Sequence, residues 1–292
     1  MNEHHWLAEQ FEENRAHLQA VAYRMLGSLS EADDAVQESW FRLSRSDRSE
    51  IENICGWLTT VVSRVCLDML RSRKARREES IEGYEADRVV GRTAGGDPEH
   101  EALLADSVGL ALLVVLGKLN PVERITFVLH DIFAIPFTEI APIVGRSEVA
   151  ARQLASRARR RVQGAEAAPK ADLGVQRTLV DAFLAAARTG NFEALLEVLD
   201  PEVVLRNDRA AVSPDPSSEI RGAQTVAKML MFGRARAARP ALVNGDVGII
   251  VAPHGRLLLV LVLTYADGKI VAIDQVDDPA RVEQLDLAVL SE

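Results

Sequence analysis

Apolar residues recur every three to four positions through the first 80 residues, the period of helices that pack by one face. Leu18, Val21, Ala22, Met25 and Leu26 form one such stripe before Gly27 interrupts it. The pattern predicts a second helix over 31–43, capped by Ser30, with Ala32, Ala35, Val36, Trp40 and Leu43 inward. Asp33, Asp34, Gln37, Glu38 and Arg42 are left on a polar, mostly acidic face. After a polar loop from Ser44 to Asn53, Trp57, Leu58, Val61, Val62, Val65, Leu67, Met69 and Leu70 make a long helix, which ends in the basic run Arg71–Arg77. Residues 78–99 lose the period and have linker composition; it resumes from Glu99 with Leu103, Leu104, Val108, Leu112, Val115 and Leu116. Asn120 caps a further helix and Pro121 opens it, and Ile125, Phe127, Val128 and Leu129 extend it.

Residues 136–163 read as helix, tight turn and helix. Pro136 suits a first helical turn, and Phe137, Ile140, Ala141 and Val144 share one face. Gly145 supplies the left-handed residue that ends the first helix and Ser147 caps the second. Val149, Ala150, Leu154 and Ala158 are expected to be its buried stripe, opposite Arg152, Gln153, Ser156, Arg157, Arg159 and Arg160. Such a division of labour serves a helix-turn-helix, whose polar face enters a major groove where Arg bonds guanine and Gln bonds adenine. A plain helical hairpin with a solvated basic face has the same pattern.

Beyond the linker 164–172 the chain changes kind. Amphipathic helices are expected over 175–188 and 192–199, with Asp200-Pro201 closing the second. Strand material begins at 203–206, one more helix covers 223–232, and strands follow over 247–251, 256–265 and 269–275. Pro253-His-Gly255 and Ala266-Asp-Gly268 are hairpin separators. Helices followed by an antiparallel meander imply an α+β domain with a curved sheet.

Composition refines this picture. A chain of 292 residues with 48% hydrophobic and 26% charged residues is globular and has room for several domains. Its net charge of −9 at first argues against nucleic acid, yet residues 146–161 gather six arginines against Glu148 alone, and local field decides where phosphates dock. Cys55 and Cys66, the two cysteines, are expected as buried free thiols. No Cys/His spacing suggests a metal, and no apolar run reaches membrane-spanning length, so neither metal, cofactor nor membrane is expected, and a cytoplasmic location is. The acidic face of 31–43 suits solvent or a basic partner equally. The basic run at 71–77 reads as a solvated helix end. Next to an aromatic and a polar loop, it also suits the holding of a single strand.

Three segments resemble bacterial RNA polymerase sigma factors. Asp33-Asp-Ala-Val-Gln-Glu-Ser-Trp-Phe-Arg-Leu43 is similar to their polymerase-docking helix, 57–77 to the promoter-melting helix, and 119–161 to the reader of the upstream element. The third region of larger sigma factors is absent, which points to the extracytoplasmic-function group. The tail resembles a SnoaL-like domain through Asp181-Ala-Phe-Leu-Ala-Ala186, Gly190-Asn-Phe-Glu-Ala-Leu195, Ile220-Arg-Gly-Ala223 and Gly268-Lys-Ile-Val-Ala-Ile-Asp274. In a subgroup that joins both parts, a Trp-Leu-Pro-Glu-Pro linker motif stands where this chain has Asp97-Pro98-Glu99. That subgroup also has an Asp-Gly-Gly-Gly-Lys/Arg motif, where this chain reads Asn207-Asp-Arg-Ala-Ala211.

The resemblance implies two all-α domains followed by an α+β cone: region 2 over 1–80, a linker over 81–99, region 4 over 100–163, and the tail over 173–292. It implies core RNA polymerase as partner, through the clamp helices of the largest subunit and the flap of the second-largest, together with promoter DNA. Asp33, Asp34, Gln37 and Glu38 would dock on polymerase. Trp57, Arg64, Arg71 and Arg73, beside the loop 44–56, would hold the melted −10 element. Ser147, Arg152, Gln153, Ser156 and Arg157 would read the −35 element. Such a factor is not itself an enzyme. Relatives of the tail fold include cyclases and isomerases, so Asp208, His254, Tyr265 and Asp274 are the polar residues that bear on a tail pocket, with His254 more consistent with turn chemistry. The tail is expected to regulate, and its removal past about Val162 to change promoter output. A SnoaL-like enzyme or small-ligand-binding protein with an accessory DNA-binding half is the alternative, and a dimeric repressor a third.

Overall fold

The computed structural model describes residues 3–46, 51, 53–82, 109–164, 172–207, 219–231, 237–253 and 257–290. Nearly all of both predicted linkers, the early part of the helix expected from Glu99, Asp208 and His254 lie outside the described residues. Two compact units emerge: Met1–Val108 with Leu119–Arg159, and Gly109–Lys118 with Arg160–Glu292.

The first unit is helical. Helices α1 (Glu3–Leu26), α2 (Leu29–Leu43) and α3 (Ile54–Glu82) pack on one another. Phe11, Leu18 and Met25 of α1, Leu43 of α2 and Leu58 of α3 are wholly buried. The cap of α2 is Ser28, not Ser30: its extended backbone (φ −138°) lets the hydroxyl accept from the Glu31 N–H, so the helix starts at Leu29. Gly27 turns the chain in the left-handed region at φ 74°. On α3 pack α5 (Pro121–Phe127) and α6 (Phe137–Val144). Asn120 caps α5 through its side chain, which accepts from the Glu123 N–H at 2.9 Å, and Pro121 is the first helical residue. The expected continuation of α5 widens into a π-helical turn at Val128–Ile132, which buries Val128 and Leu129. It closes on Ala134, held at φ 55°, so the chain reverses without a glycine.

The second unit is α+β. Its described strands are β1 (Leu199–Asn207), β2 (Glu219–Arg221), β3 (Ala238–Val243), β4 (Asp246–Val251), β5 (Leu259–Ala266), β6 (Lys269–Val276) and β7 (Leu287–Ala288). They form one sheet in the order β2-β1-β6-β5-β4-β3-β7. The pairing is antiparallel except between β1 and β6, which run parallel with Leu205 opposite Ile273. Asn244-Gly245 and Asp267-Gly268 turn β3 into β4 and β5 into β6, with both central residues of each at positive φ, as a two-residue type I′ hairpin requires. Helices α8 (Leu173–Thr189), α9 (Phe192–Val198) and α10 (Ala223–Met231) supply Val180, Phe183, Leu184, Leu195, Val226 and Ala227 to a core with Val247, Ile249, Leu261, Leu263, Ile270 and Ile273. Strand β1 begins at Leu199, so Asp200-Pro201 belongs to it and does not cap α9. A short α11 (Pro279–Gln284) precedes β7.

Helix α4 (Leu110–Lys118) belongs to this second unit: it packs on β3 and β7, and its Lys118 Nζ donates to the Val282 carbonyl at 3.0 Å and to that of Leu285. No helix is long and apolar enough to cross a membrane among the described residues.

Candidate nucleic-acid interface

Helix α2 divides cleanly. Leu29, Ala32, Ala35, Val36, Ser39 and Leu43 are buried, and the Ser39 hydroxyl is satisfied by the Ala35 carbonyl at 2.8 Å. Asp33, Asp34, Gln37 and Glu38 are all exposed. Gln19 donates to Asp33 at 2.8 Å, and Arg42 pairs with Glu38 at 2.9 Å one turn on. The face therefore stays acidic at its N-terminal end, where the helix dipole favours carboxylates.

On α3 the candidate residues separate into two groups. Trp57, Arg64 and Arg71 are spaced by seven, which brings them within about 40° of one another around a helix of 3.6 residues per turn. Trp57 is half-buried, while Arg64 and Arg71 are exposed. Arg64 reaches the Pro142 carbonyl at 3.4 Å. Arg73 lies on the other side of the helix, half-buried, ion-paired with Glu31 and donating to the Leu26 carbonyl at 3.4 Å. Near the start of α3, where Asn53 accepts from the Gly56 N–H at 3.1 Å, a cleft of about 190 Å³ opens between His17, Asn53, Cys55, Gly56, Thr59, Thr60, Ile135, Glu139 and Ile143. Burial holds the His17 imidazole below its ordinary range. Trp57 does not line this cleft. Cys55 is exposed, contrary to expectation, in the first turn of α3; Cys66 is buried, and burial pushes its thiol up to about 12.

The helix-turn-helix is built as its sequence requires. Gly145 ends α6 at φ 66°, ψ 43°, and Arg146 N–H returns to the Ala141 carbonyl at 3.0 Å. Helix α7 (Glu148–Gln163) starts with the Ser147 hydroxyl accepting from the Ala150 N–H at 3.2 Å. Its buried stripe is Ala151, Leu154, Ala155, Ala158 and Val162, packed by the same logic as Ile140, Ala141, Ile143 and Val144 on α6. Val149 is not in it. At 64% exposure it lies about halfway around the helix from Ala158, since nine residues of 3.6 per turn make two and a half turns.

Ser147, Arg152, Gln153, Ser156 and Arg157 are all exposed. The Arg152 guanidinium rests 5.5 Å above the Phe137 ring, which itself lies 3.9 Å from His130. Arg157 reaches Glu123 at 3.6 Å, a carboxylate whose side chain is only 4% exposed. Arg159 pairs with Asp131 at 2.8 Å. Sequence reasoning missed a buried cation: Arg124, 5% exposed, donates to the Arg24 carbonyl at 3.4 Å, and burial with Arg73 nearby pulls its guanidinium down to about 10. Its Nε and that of Arg24 lack a hydrogen-bond partner, the Arg24 guanidinium lying instead over Phe133. The arginine in Pro-Val-Glu-Arg124 carries no signal that separates it from a surface residue.

In the second unit the two described candidates, Tyr265 and Asp274, make separate contacts. The Tyr265 hydroxyl donates to the Val247 carbonyl, and burial together with Asp246 raises its phenol above the ordinary range. Gln176 fastens the same region, donating to Asp246 at 3.1 Å and accepting from the Val247 N–H at 2.9 Å. Asp274 meets Arg206 at 3.4 Å on the surface, in a group with Glu219 and Arg221. A cavity of about 460 Å³ is lined elsewhere, by Leu196, Leu199, Pro201, Gly222, Ala223, Gln224 and Thr225. Among the described residues no cluster of His, Cys, Asp or Glu is placed to hold a metal ion.

Residues 10–76 match the Sigma-70 region 2 family and 109–162 the Sigma-70 region 4 family. The chain is 35% identical over 287 residues to the ECF RNA polymerase sigma factor SigJ of Mycobacterium tuberculosis, covering 93% of this chain and 92% of that one. It is 33% identical to the probable ECF RNA polymerase sigma factor SigI of the same species, over 98% of each. A crystal structure of M. tuberculosis SigJ is similar over 94% of this chain and 97% of that one, at 32% identity and a TM-score of 0.45. The chain belongs to the ECF RNA polymerase sigma factors.

Proposed function

We propose that the chain docks on core RNA polymerase through Asp33, Asp34, Gln37 and Glu38, against the clamp helices of the largest subunit, with the helix-turn-helix unit held by the flap of the second-largest. It directs promoter choice and catalyses nothing itself. Trp57, Arg64 and Arg71 face the melted −10 element, and Arg73, on the other side of α3, ties that helix to α2 through Glu31. A flipped base held by protein recovers the few kcal/mol of stacking it loses, about the scale such a pocket must supply. Ser147, Arg152, Gln153, Ser156 and Arg157 read the −35 element. The observation that carries this reading is the two-sided layout: an acidic exposed face on α2 and a basic exposed face on α7, each opposite a buried stripe. Polymerase supplies most of the grip on DNA, which is how a chain of net charge −9 serves as a promoter reader.

The tail tunes this activity. Among the described residues its cavity is lined by no titratable side chain, which favours binding of a small apolar ligand over acid/base turnover. Reconstitution with core polymerase and a promoter library is the test: the chain should redirect initiation to a defined set of promoters. A chain that neither joins core polymerase nor changes where it initiates refutes the reading; turnover of a small ketone without polymerase association would support the enzyme alternative.

A further inference from the structure

Val149 is the most exposed large hydrophobic side chain among the described residues, at 64%. A single apolar residue at a surface needs no special explanation in general; here its position matters. It occupies the first turn of α7, just after the capping Ser147, and a recognition helix touches base edges with its N-terminal residues. Arg152, Gln153 and Ser156 follow at three, four and seven residues, so all four lie on one face, opposite the buried Ala151, Leu154, Ala155 and Ala158. Packing within the unit does not use Val149: its methyl groups point the same way as the groups that read hydrogen-bonding edges. In the major groove the one apolar feature of a base edge is the thymine C5-methyl. A β-branched side chain with a single preferred rotamer on a helix presents its two methyls without further ordering cost.

We propose that Val149 is a specificity-determining residue that reads a thymine methyl in the upstream promoter element, next to the bases addressed by Arg152 and Gln153. This rests on the promoter-reading assignment of α7 and extends it from hydrogen bonds to an apolar contact. The flanking polar groups fix which base pair is met, and Val149 distinguishes thymine from cytosine at the neighbouring step.

The test uses holoenzyme reconstituted with core polymerase, on a promoter that the wild-type holoenzyme itself selects from a library. Each upstream-element thymine, on either strand, is replaced in turn by deoxyuridine, which removes only the methyl. Open-complex formation by wild type should fall about threefold to fivefold at one position, the scale of withdrawing one methyl from an apolar contact. Holoenzyme carrying Val149→Ala should start lower by a similar factor and be indifferent to that same replacement, while its affinity for core polymerase is unchanged. The assignment is overturned if Val149→Ala and wild type respond alike to every replacement, if no thymine methyl matters to wild type, or if the selected element holds only G·C pairs. A fall in core binding for Val149→Ala would overturn it in favour of a protein-facing role. Failure of the wild-type holoenzyme to initiate on any promoter would refute the broader function as well, a result distinct from initiation that ignores methyls.

Discussion

Replacing Gln153 by alanine isolates promoter reading from folding. Its side chain is exposed in the middle of α7, and alanine is the better helix former by a few tenths of a kcal/mol. Stability should therefore stay within about 0.5 kcal/mol of wild type. A bidentate contact between Gln and adenine is worth about 1–3 kcal/mol, so transcription from a cognate promoter should fall roughly five- to 150-fold. Arg157→Ala makes the informative contrast. That arginine also approaches the buried Glu123 at 3.6 Å, so its loss should cost about 1 kcal/mol of stability besides a promoter contact. Run-off transcription, competition for core polymerase and urea unfolding should be measured on both variants. Output should drop in both, with core binding retained and only Arg157→Ala unfolding earlier. Unchanged output from Gln153→Ala, or a matching loss of its core binding, would refute the assignment of this helix face.

Reversing the docking face with Asp34→Arg and Glu38→Arg should weaken core-polymerase binding by roughly tenfold or more, as competition against labelled wild type would show, while costing no more than about 1 kcal/mol of stability through the lost Glu38–Arg42 pair. Gly248→Ala should destabilise the second unit by about 1–3 kcal/mol in denaturant melts, because a Cβ there would lie 2.6 Å from Val243 Cγ2 and 2.9 Å from the Leu261 carbonyl. Tyr265→Phe should cost about 1 kcal/mol and leave promoter choice intact, since it deletes the hydrogen bond to Val247. The raised Tyr265 phenol keeps its proton in the folded state where the unfolded chain releases it. Its contribution is therefore full below the ordinary phenol pKa and is lost as pH rises above it, a slope that Tyr265→Phe should remove. Maleimide should modify one thiol, Cys55, in native protein and both in denaturant.

Local chemistry made much of this fold legible. Gly145, Ser147, Asn120 and Pro121 have side chains, or lack of them, that suit one kind of position, and each occupies it. Val149 was misread because it precedes two alanines in an apolar cluster, and only the packing partner decides which side of a short helix is inner. Strand β3 went unseen since Arg239 and Pro240 break an apolar run; Pro240 is accommodated opposite Ile249. The parallel pairing of β1 with β6 joins residues some 70 apart and leaves no trace in periodicity. The acidic face of α2 was visible as a pattern, while the docking role proposed for it rests on kinship. Tyr265 and Asp274 were chosen for polarity alone, and the cavity formed elsewhere, between α9, the start of β1 and the first turn of α10.

Helix α4 has a practical bearing on how such a protein is dissected. Its apolar residues Leu113, Val114, Val115 and Leu116 are buried in a body that also contains β3 and β7, though it precedes the recognition helices along the chain. A stop codon placed after Val162 would thus excise the bed on which an upstream segment lies. The shortened product would carry a sticky, uncovered rod, and any altered output could reflect clumping instead of lost control. Point changes that keep the sheet whole are the cleaner scalpel.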